Sequence, residues 1–67
     1  MSDALKARGC TDLDYLGDGV YAGTDGYNIW MATERDGRAH EIALEPPVIL
    51  ALGIYAQRLT KKYGGQP

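Results

Sequence analysis

The residues that could carry out chemistry are few and lie far apart along the chain. His40 is the only histidine, and Cys10 and Ser2 offer the candidate nucleophiles. A catalytic histidine needs an orienting group and a nucleophile or substrate within hydrogen-bonding distance, and these three residues belong to separate segments. Glu41 and Glu45 alternate with apolar residues, as acids on any half-exposed strand do. The sequence therefore predicts a protein that is not an enzyme and that has neither a cofactor nor a metal site.

One glycine-rich segment has the composition of a phosphate-binding loop. Gly17-Asp18-Gly19 would need a following helix whose N-terminus holds the anion. Val20 and the residues after it predict a strand instead. The segment is therefore predicted to be a turn or a bulge before that strand.

Length and composition limit the remaining possibilities. The chain has 67 residues, one cysteine and a formal net charge of -2. We expect a single domain over residues 1–67, with a core of about 14–63 and loose ends at 1–9 and 64–67. A domain this small is marginal unless a disulfide, a metal or oligomerisation stabilises it. One cysteine excludes an internal disulfide, so we expect a homodimer or larger oligomer, and the acidic balance argues against generic nucleic-acid binding.

Two Asp-Gly dipeptides organise the middle of the chain. Asp25-Gly26 and Asp36-Gly37 are each flanked by alternating apolar residues, the strongest short-range signal for a β-hairpin. With two-residue loops, they predict a three-stranded antiparallel meander over residues 20–44. A three-residue loop with a bulge at Thr24-Asp25-Gly26 remains open.

The predicted register gives the sheet two different faces. Met31 is paired with Ile42, and Val20 with Met31. We call one side the aliphatic face, and its members are Val20, Ala22, Ile29, Met31, Ile42 and Leu44. We call the other side the Trp30 face, and its members are Tyr21, Trp30, Ala32, Glu41 and Ala43, with Asn28 nearby.

A C-terminal helix is predicted from about Pro46 to Tyr63, because proline suits the first turn of a helix. Its helically spaced apolar residues form what we call the Leu52 stripe: Val48, Leu52, Tyr55, Leu59 and Tyr63. We expect this stripe to cover the aliphatic face. The expected fold class is therefore α+β, with a short N-terminal helix at residues 2–9 capped by Ser2, or a frayed segment there.

If the helix covers one face of the sheet, the other face stays bare. Tyr21 and Trp30 would then form an exposed pair, opposite one another across two strands. Such a pair can simply stabilise the hairpin, or it can anchor a partner or ligand. The predicted binding residues are Tyr21, Asn28, Trp30, Arg35 and Arg38.

The first half of the predicted helix is apolar on nearly every side. Ile49, Leu50 and Ile54 lie away from the Leu52 stripe, and Gly53 lies on the flank with Ile49. Two explanations remain open: the N-terminal segment covers these residues, or a second copy of the chain does. The second predicts an oligomer interface formed by Ile49, Leu50, Gly53 and Ile54.

The phrase Tyr15-Leu16-Gly17-Asp18-Gly19-Val20-Tyr21-Ala22, followed by Asp25-Gly26-Tyr27 and Ile42-Ala43-Leu44-Glu45-Pro46, resembles a group of very short proteins of bacteriophages and prophages. The likeness covers about residues 14–63 and contains no catalytic motif. It implies a small accessory protein made by a phage in the cytoplasm of a bacterial cell. The absence of a signal-peptide pattern and of a membrane-length apolar run agrees with that location.

Small acidic phage proteins of this kind often act by binding, and this analogy provides three hypotheses. The first is inhibition of a host defence component, of CRISPR type or another immune system, by occlusion of a protein surface. The second is an oligomeric sponge that sequesters a nucleotide signal in pockets between subunits, with Arg35, Arg38 or Lys61 meeting phosphates and Trp30 or Tyr21 stacking on a base. The third is a structural or assembly role in the virion.

Overall fold

The computed structural model describes residues 2–64, which form a four-stranded antiparallel sheet with a helix at each end of the chain. The elements are α1 (Asp3–Ala7), β1 (Thr11–Gly17), β2 (Val20–Thr24), β3 (Ile29–Arg35), β4 (Arg38–Leu44) and α2 (Pro46–Lys62). The strands lie side by side in chain order. The α+β class is confirmed, but the prediction of three strands is wrong, because the structure has four.

The additional strand is β1, which pairs with β2. The segment predicted to be a turn connects these two strands. Asp18 and Gly19 both have positive φ, 54° and 81°, and Gly17 pairs with Val20 on either side of them. Positive φ at both central residues is the geometry of a type I′ hairpin. The chain therefore contains a third Asp-Gly hairpin. A bulge near Asp12, whose φ is 54°, interrupts the outer strand.

The hairpin between β3 and β4 has the predicted register. Met31 pairs with Ile42, and the two turn residues, Asp36 and Gly37, have φ of 56° and 73°. The two-residue loop at this position is confirmed.

The hairpin between β2 and β3 has a longer loop than predicted. Its closing pair is Thr24 with Ile29, so residues 25–28 form a four-residue loop and the two-residue prediction is wrong. Tyr21 pairs with Ala32 instead of Trp30. Because the register moved by two residues, every side chain keeps its predicted face.

The face that is covered is the opposite of the predicted one. α1 packs on the Trp30 face, where Leu5 is fully buried and forms the core with Cys10 and Ala32. Tyr21 and Trp30 pack against this cluster. The expectation that they lie on a bare side of the sheet is therefore wrong.

The N-terminal helix is ordered by the residues that predicted it. The backbone N–H of Leu5 donates to the Ser2 hydroxyl at 3.4 Å, and Gly9 follows the helix with φ of 79°. The alternative of a frayed or loose segment does not hold for residues 2–9, because Ser2 and Leu5 are both buried.

α2 has nearly the predicted bounds, but it does not pack on the sheet as expected. Val48, Leu52 and Tyr55 are 47%, 45% and 49% exposed, and none of the helix residues is buried. The helix is followed by Gly64, whose φ is 82°. The rest of the predicted loose tail, residues 65–67, lies outside the described residues.

Candidate functional site

Trp30, the residue expected to anchor a partner, is held by contacts within the chain. Its indole N–H donates to Oδ2 of Asp25 at 2.8 Å. The Arg8 guanidinium lies over the ring, 4.3 Å from its centroid. A guanidinium over an indole is an attractive cation–π arrangement. One face of the ring and its only polar group are therefore already used.

Asp25 organises the loop before Trp30. Its carboxylate also accepts the backbone N–H groups of Tyr27 at 2.9 Å and Asn28 at 2.7 Å. The bond from Trp30, followed by those from Asn28 and Tyr27, lowers the pKa of Asp25 to about 2. Each of these bonds favours the charged carboxylate. The Asn28 side-chain amide nitrogen also donates to Asp25, at 3.4 Å, whereas the Asn28 side-chain oxygen is buried and has no hydrogen-bond partner among the described residues.

Arg8 connects three elements of the fold. It is the C-cap residue of α1, it covers Trp30 of β3, and it forms two bonds with the Glu41 carboxylate of β4, at 3.0 and 3.2 Å. The hydrogen bond to Glu41 raises the pKa of Arg8. This planar contact, made through two hydrogen bonds, holds α1 against the sheet.

Tyr21 is likewise occupied within the chain. Its ring packs on Tyr15 of β1, with centroids 4.9 Å apart. The Tyr15 hydroxyl accepts the backbone N–H of Gly19 at 2.8 Å. The aromatic residues of the Trp30 face thus support the β1–β2 hairpin and the core. The expected cross-strand pair of Tyr21 with Trp30 is not formed, because Tyr21 pairs with Ala32.

The predicted binding set does not form one surface. Arg35 and Arg38 are exposed and pair across the turn between β3 and β4. Trp30 and Asn28 lie at the other end of β3, which spans about 20 Å at the usual rise per residue. A single small ligand cannot contact both groups on one copy of the chain.

Cys10 and His40 lie on opposite sides of the sheet. Cys10 is in the core under α1, where burial raises the pKa of its thiol. His40 pairs with Thr33, as predicted, and lines a cleft on the aliphatic face. A cysteine–histidine catalytic pair is therefore not assembled.

The aliphatic face has an open cleft of about 310 Å³. Its lining is almost entirely apolar and includes Val20, Met31 and Ile42, with Thr33 and His40 at one end. Ile42 is 55% exposed. The sequence predicted the apolar character of this face but placed the chain's own C-terminal helix over it.

α2 carries apolar residues on two opposite sides. The Leu52 stripe lies on one side. On the other side, the side chains of Leu50 and Ile54 are 71% and 64% exposed. Lys61 lies on the same side of the helix by its spacing, and we call these three residues the Leu50 face. A helix that is apolar on all sides is normally buried on all sides. Of the other predicted interface residues, Ile49 is half-buried, and a Cβ on Gly53 would meet no atom within 4 Å.

Residues 2–64 contain no group of three His, Cys, Asp or Glu side chains placed to hold a metal ion. Within the same residues, no helix has the length and apolar composition needed to span a bilayer.

Comparisons of the chain with protein-family models, curated proteins and solved structures found no match. The function must therefore be inferred from the surfaces described above.

Proposed function

We propose that this chain is a small phage-encoded binding protein that inhibits a bacterial host factor by covering a surface of it. The host factor we favour is a component of a defence system, and the site of action is the host cytoplasm. The chain acts by occupying its partner's surface and performs no chemistry on it.

The observation that carries the proposal is the exposure of the Leu50 face. Leu50 and Ile54 are the two most exposed aliphatic residues on α2. Contiguous exposed apolar patches mark protein interaction sites, whereas single exposed apolar residues are common on any surface. Their spacing of four residues is that of anchors by which an amphipathic helix enters a groove.

The charge near these anchors defines the chemistry of the partner. Arg58, Lys61 and Lys62 lie in the C-terminal part of α2, and the helix contains no acidic residue. A partner groove that is apolar at one end and acidic at the other would match this distribution. The resemblance to phage proteins supports a bacterial protein as the source of that groove.

The nucleotide-sponge alternative is less well supported. It required Trp30 or Tyr21 to stack on a base, but Arg8 lies over Trp30 and Tyr15 packs on Tyr21. It also placed Arg35, Arg38 or Lys61 near those rings in a pocket between subunits, and within one copy Arg35 and Arg38 lie at the distant turn. No contact of the described residues favours the virion role.

The test compares wild type with Leu50→Glu in bacterial strains that each carry one phage-defence system. Wild type should raise plaque counts in at least one strain and should co-purify with a component of that system. Leu50→Glu should lose both effects and weaken binding by more than about tenfold, because an unpaired charge would be buried.

Thr60→Glu is the matched control. It adds the same charge to the same helix at an exposed position outside both apolar faces, so it should retain activity. If wild type rescues no strain, or if Leu50→Glu and wild type capture the same component equally, the proposed function is wrong.

A further inference from the structure

The chain has two apolar surfaces that nothing in residues 2–64 covers fully. One is the cleft of the aliphatic face, lined by Val20, Met31 and Ile42. The other is the Leu52 stripe of α2, in which Leu52 and Tyr55 are each about half exposed. An antiparallel sheet can leave a polar face in water, but an apolar sheet face is normally buried against another element. A helix with an apolar stripe is such an element.

We infer that these two surfaces cover each other between two copies of the chain. The Leu52 stripe of one copy lies across the aliphatic face of the second, and the second copy's helix returns the contact. A two-fold axis relates the two contacts, so that the aliphatic face and the Leu52 stripe of both copies are covered. The aliphatic face would thus be covered by the stripe predicted from the sequence, but from a partner chain.

The exposed area fits this arrangement. The accessible surface of the chain is 5185 Å², whereas a folded monomer of 7.3 kDa should expose about 4,200 Å². The excess, about 1,000 Å², is close to the roughly 800 Å² that each partner buries in a stable interface of standard size. The radius of gyration, 13.2 Å, also exceeds the value of about 11 Å for a compact chain of this length.

Charge argues against a crossing of two copies of α2. All nine acidic residues lie before Pro46, whereas α2 has three basic residues and no acidic one. The sheet layer is net acidic, but Arg35 and Arg38 share the register of the aliphatic face, whereas Glu34 and Glu41 lie on the Trp30 face. Two crossed copies of α2 would bring like charges together, which argues against the interface predicted around Gly53.

This inference goes beyond the proposed function and uses a different surface. The Leu50 face is on the opposite side of α2 from the Leu52 stripe, so it stays accessible when the stripe is covered. A dimer would present two such faces to host proteins.

The mass of the purified chain in solution, measured by sedimentation over a range of concentrations, provides the first test. Wild type should be a dimer. Ile42→Glu in the cleft and Leu52→Glu on the stripe should each raise the dimer dissociation constant by about 100-fold or more, because each would bury an unpaired charge. The matched controls, Ala39→Glu on the other face of β4 and Thr60→Glu on α2, should remain dimeric.

Trp30 fluorescence verifies the fold of each variant, because this residue is under α1 and away from the cleft. A second measurement does not depend on the stability of the glutamate variants. Chains with Ile42→Cys and chains with Leu52→Cys, both carrying Cys10→Ala, are mixed and treated with a short bis-maleimide. Cross-linked heterodimers should form.

A monomeric wild type, with α2 folded onto its own sheet, would overturn the inference. So would a dimer that Leu50→Glu dissociates and Ile42→Glu does not. Loss of plaque rescue in Leu50→Glu with the dimer intact would separate the host-binding surface from the self-association surface.

Discussion

The indole N–H of Trp30 donates to the Asp25 carboxylate at 2.8 Å, across the four-residue loop that joins β2 to β3. The same carboxylate accepts the backbone N–H groups of Tyr27 and Asn28. The Asp25 side chain thus satisfies two backbone N–H groups of the loop and binds the indole of the only tryptophan, while the Thr24 hydroxyl accepts the N–H of Gly26. These contacts stabilise the four-residue loop.

The first prediction is that Asp25 makes the stability of the fold depend on pH below about pH 4. Its pKa is lowered to about 2 when folded, whereas an unfolded aspartate titrates near pH 3.9. The stabilisation is therefore fully present above that value and is lost as the pH falls toward 2. Thermal unfolding of wild type and Asp25→Asn from pH 7 to pH 2 should show a melting-temperature difference that shrinks on acidification.

Trp30→Phe provides the comparison, because phenylalanine keeps an aromatic ring but lacks the N–H donor. This variant should have a smaller pH-dependent loss of stability than wild type. A constant difference between wild type and Asp25→Asn down to pH 2 would contradict the assigned role of the carboxylate.

The face to which each side chain of the sheet points was largely predictable, because successive side chains along a strand alternate between the two faces. The loop at Asp25 is two residues longer than predicted, yet Trp30 and Met31 still point to the predicted opposite sides. An error of one residue would have exchanged the faces. The strand β1 was missed because its aspartates lower strand propensity. The Asp18-Gly19 dipeptide was nevertheless the same hairpin signal as the two that were used.

Which helix covers which face was not predictable from hydrophobic pattern alone. Leu5 is the only large apolar residue of α1, so the sequence gives little reason to expect that this helix covers a face of the sheet. The cluster around Leu5 includes Leu13 and Cys10, which approach β2 closely where Gly23 has no side chain. The apolar residues on two sides of α2 indicate that both sides should be buried. The sequence does not indicate whether the same chain or another chain covers them.

The second prediction concerns Gly23. A Cβ at this position would lie 2.6 Å from Cδ2 of Leu13 and 3.3 Å from the backbone oxygen of Thr11. Overpacking a closely packed site of this kind typically costs about 1–3 kcal/mol. Urea unfolding of Gly23→Ala should show that loss, because the Leu13 side chain would have to move while Cys10 and Thr11 also lie close, at 3.1 and 3.3 Å.

Gly53→Ala is the matched substitution on α2, where the added methyl group meets no atom within 4 Å. Alanine is favoured over glycine in a helix by about 0.5–1 kcal/mol, so this variant should be more stable than wild type. Weakening of the dimer by Gly53→Ala would instead support helices that cross closely at this residue.

The third prediction tests the turn between β3 and β4. Gly37 has φ of 73°, a conformation that costs a residue with a Cβ about 1–2 kcal/mol. Gly37→Ala should lower the unfolding free energy by that amount, and Gly37→Asn by less, since asparagine tolerates this region. Chemical denaturation of both variants checks the order, and equal losses would contradict the type I′ geometry.

The fourth prediction concerns Arg8, which fastens α1 to the sheet by covering Trp30 and pairing with Glu41. Arg8→Lys keeps the positive charge but loses the planar guanidinium that stacks and forms two bonds at once. It should lower the melting temperature and make Trp30 more accessible to acrylamide quenching. Lys6→Gln, which alters an exposed residue on the same helix, should change neither quantity.

Glu41→Gln and the double variant complete the cycle for this pair. If Arg8 acts through both the ring and the carboxylate, Arg8→Lys should increase quenching more than Glu41→Gln does, because only the first change removes the stacked group. The two substitutions should also be non-additive in stability, since they share one contact. Additive effects with unchanged quenching would mean that α1 is held by Leu5 alone and that Arg8 is a solvated surface charge.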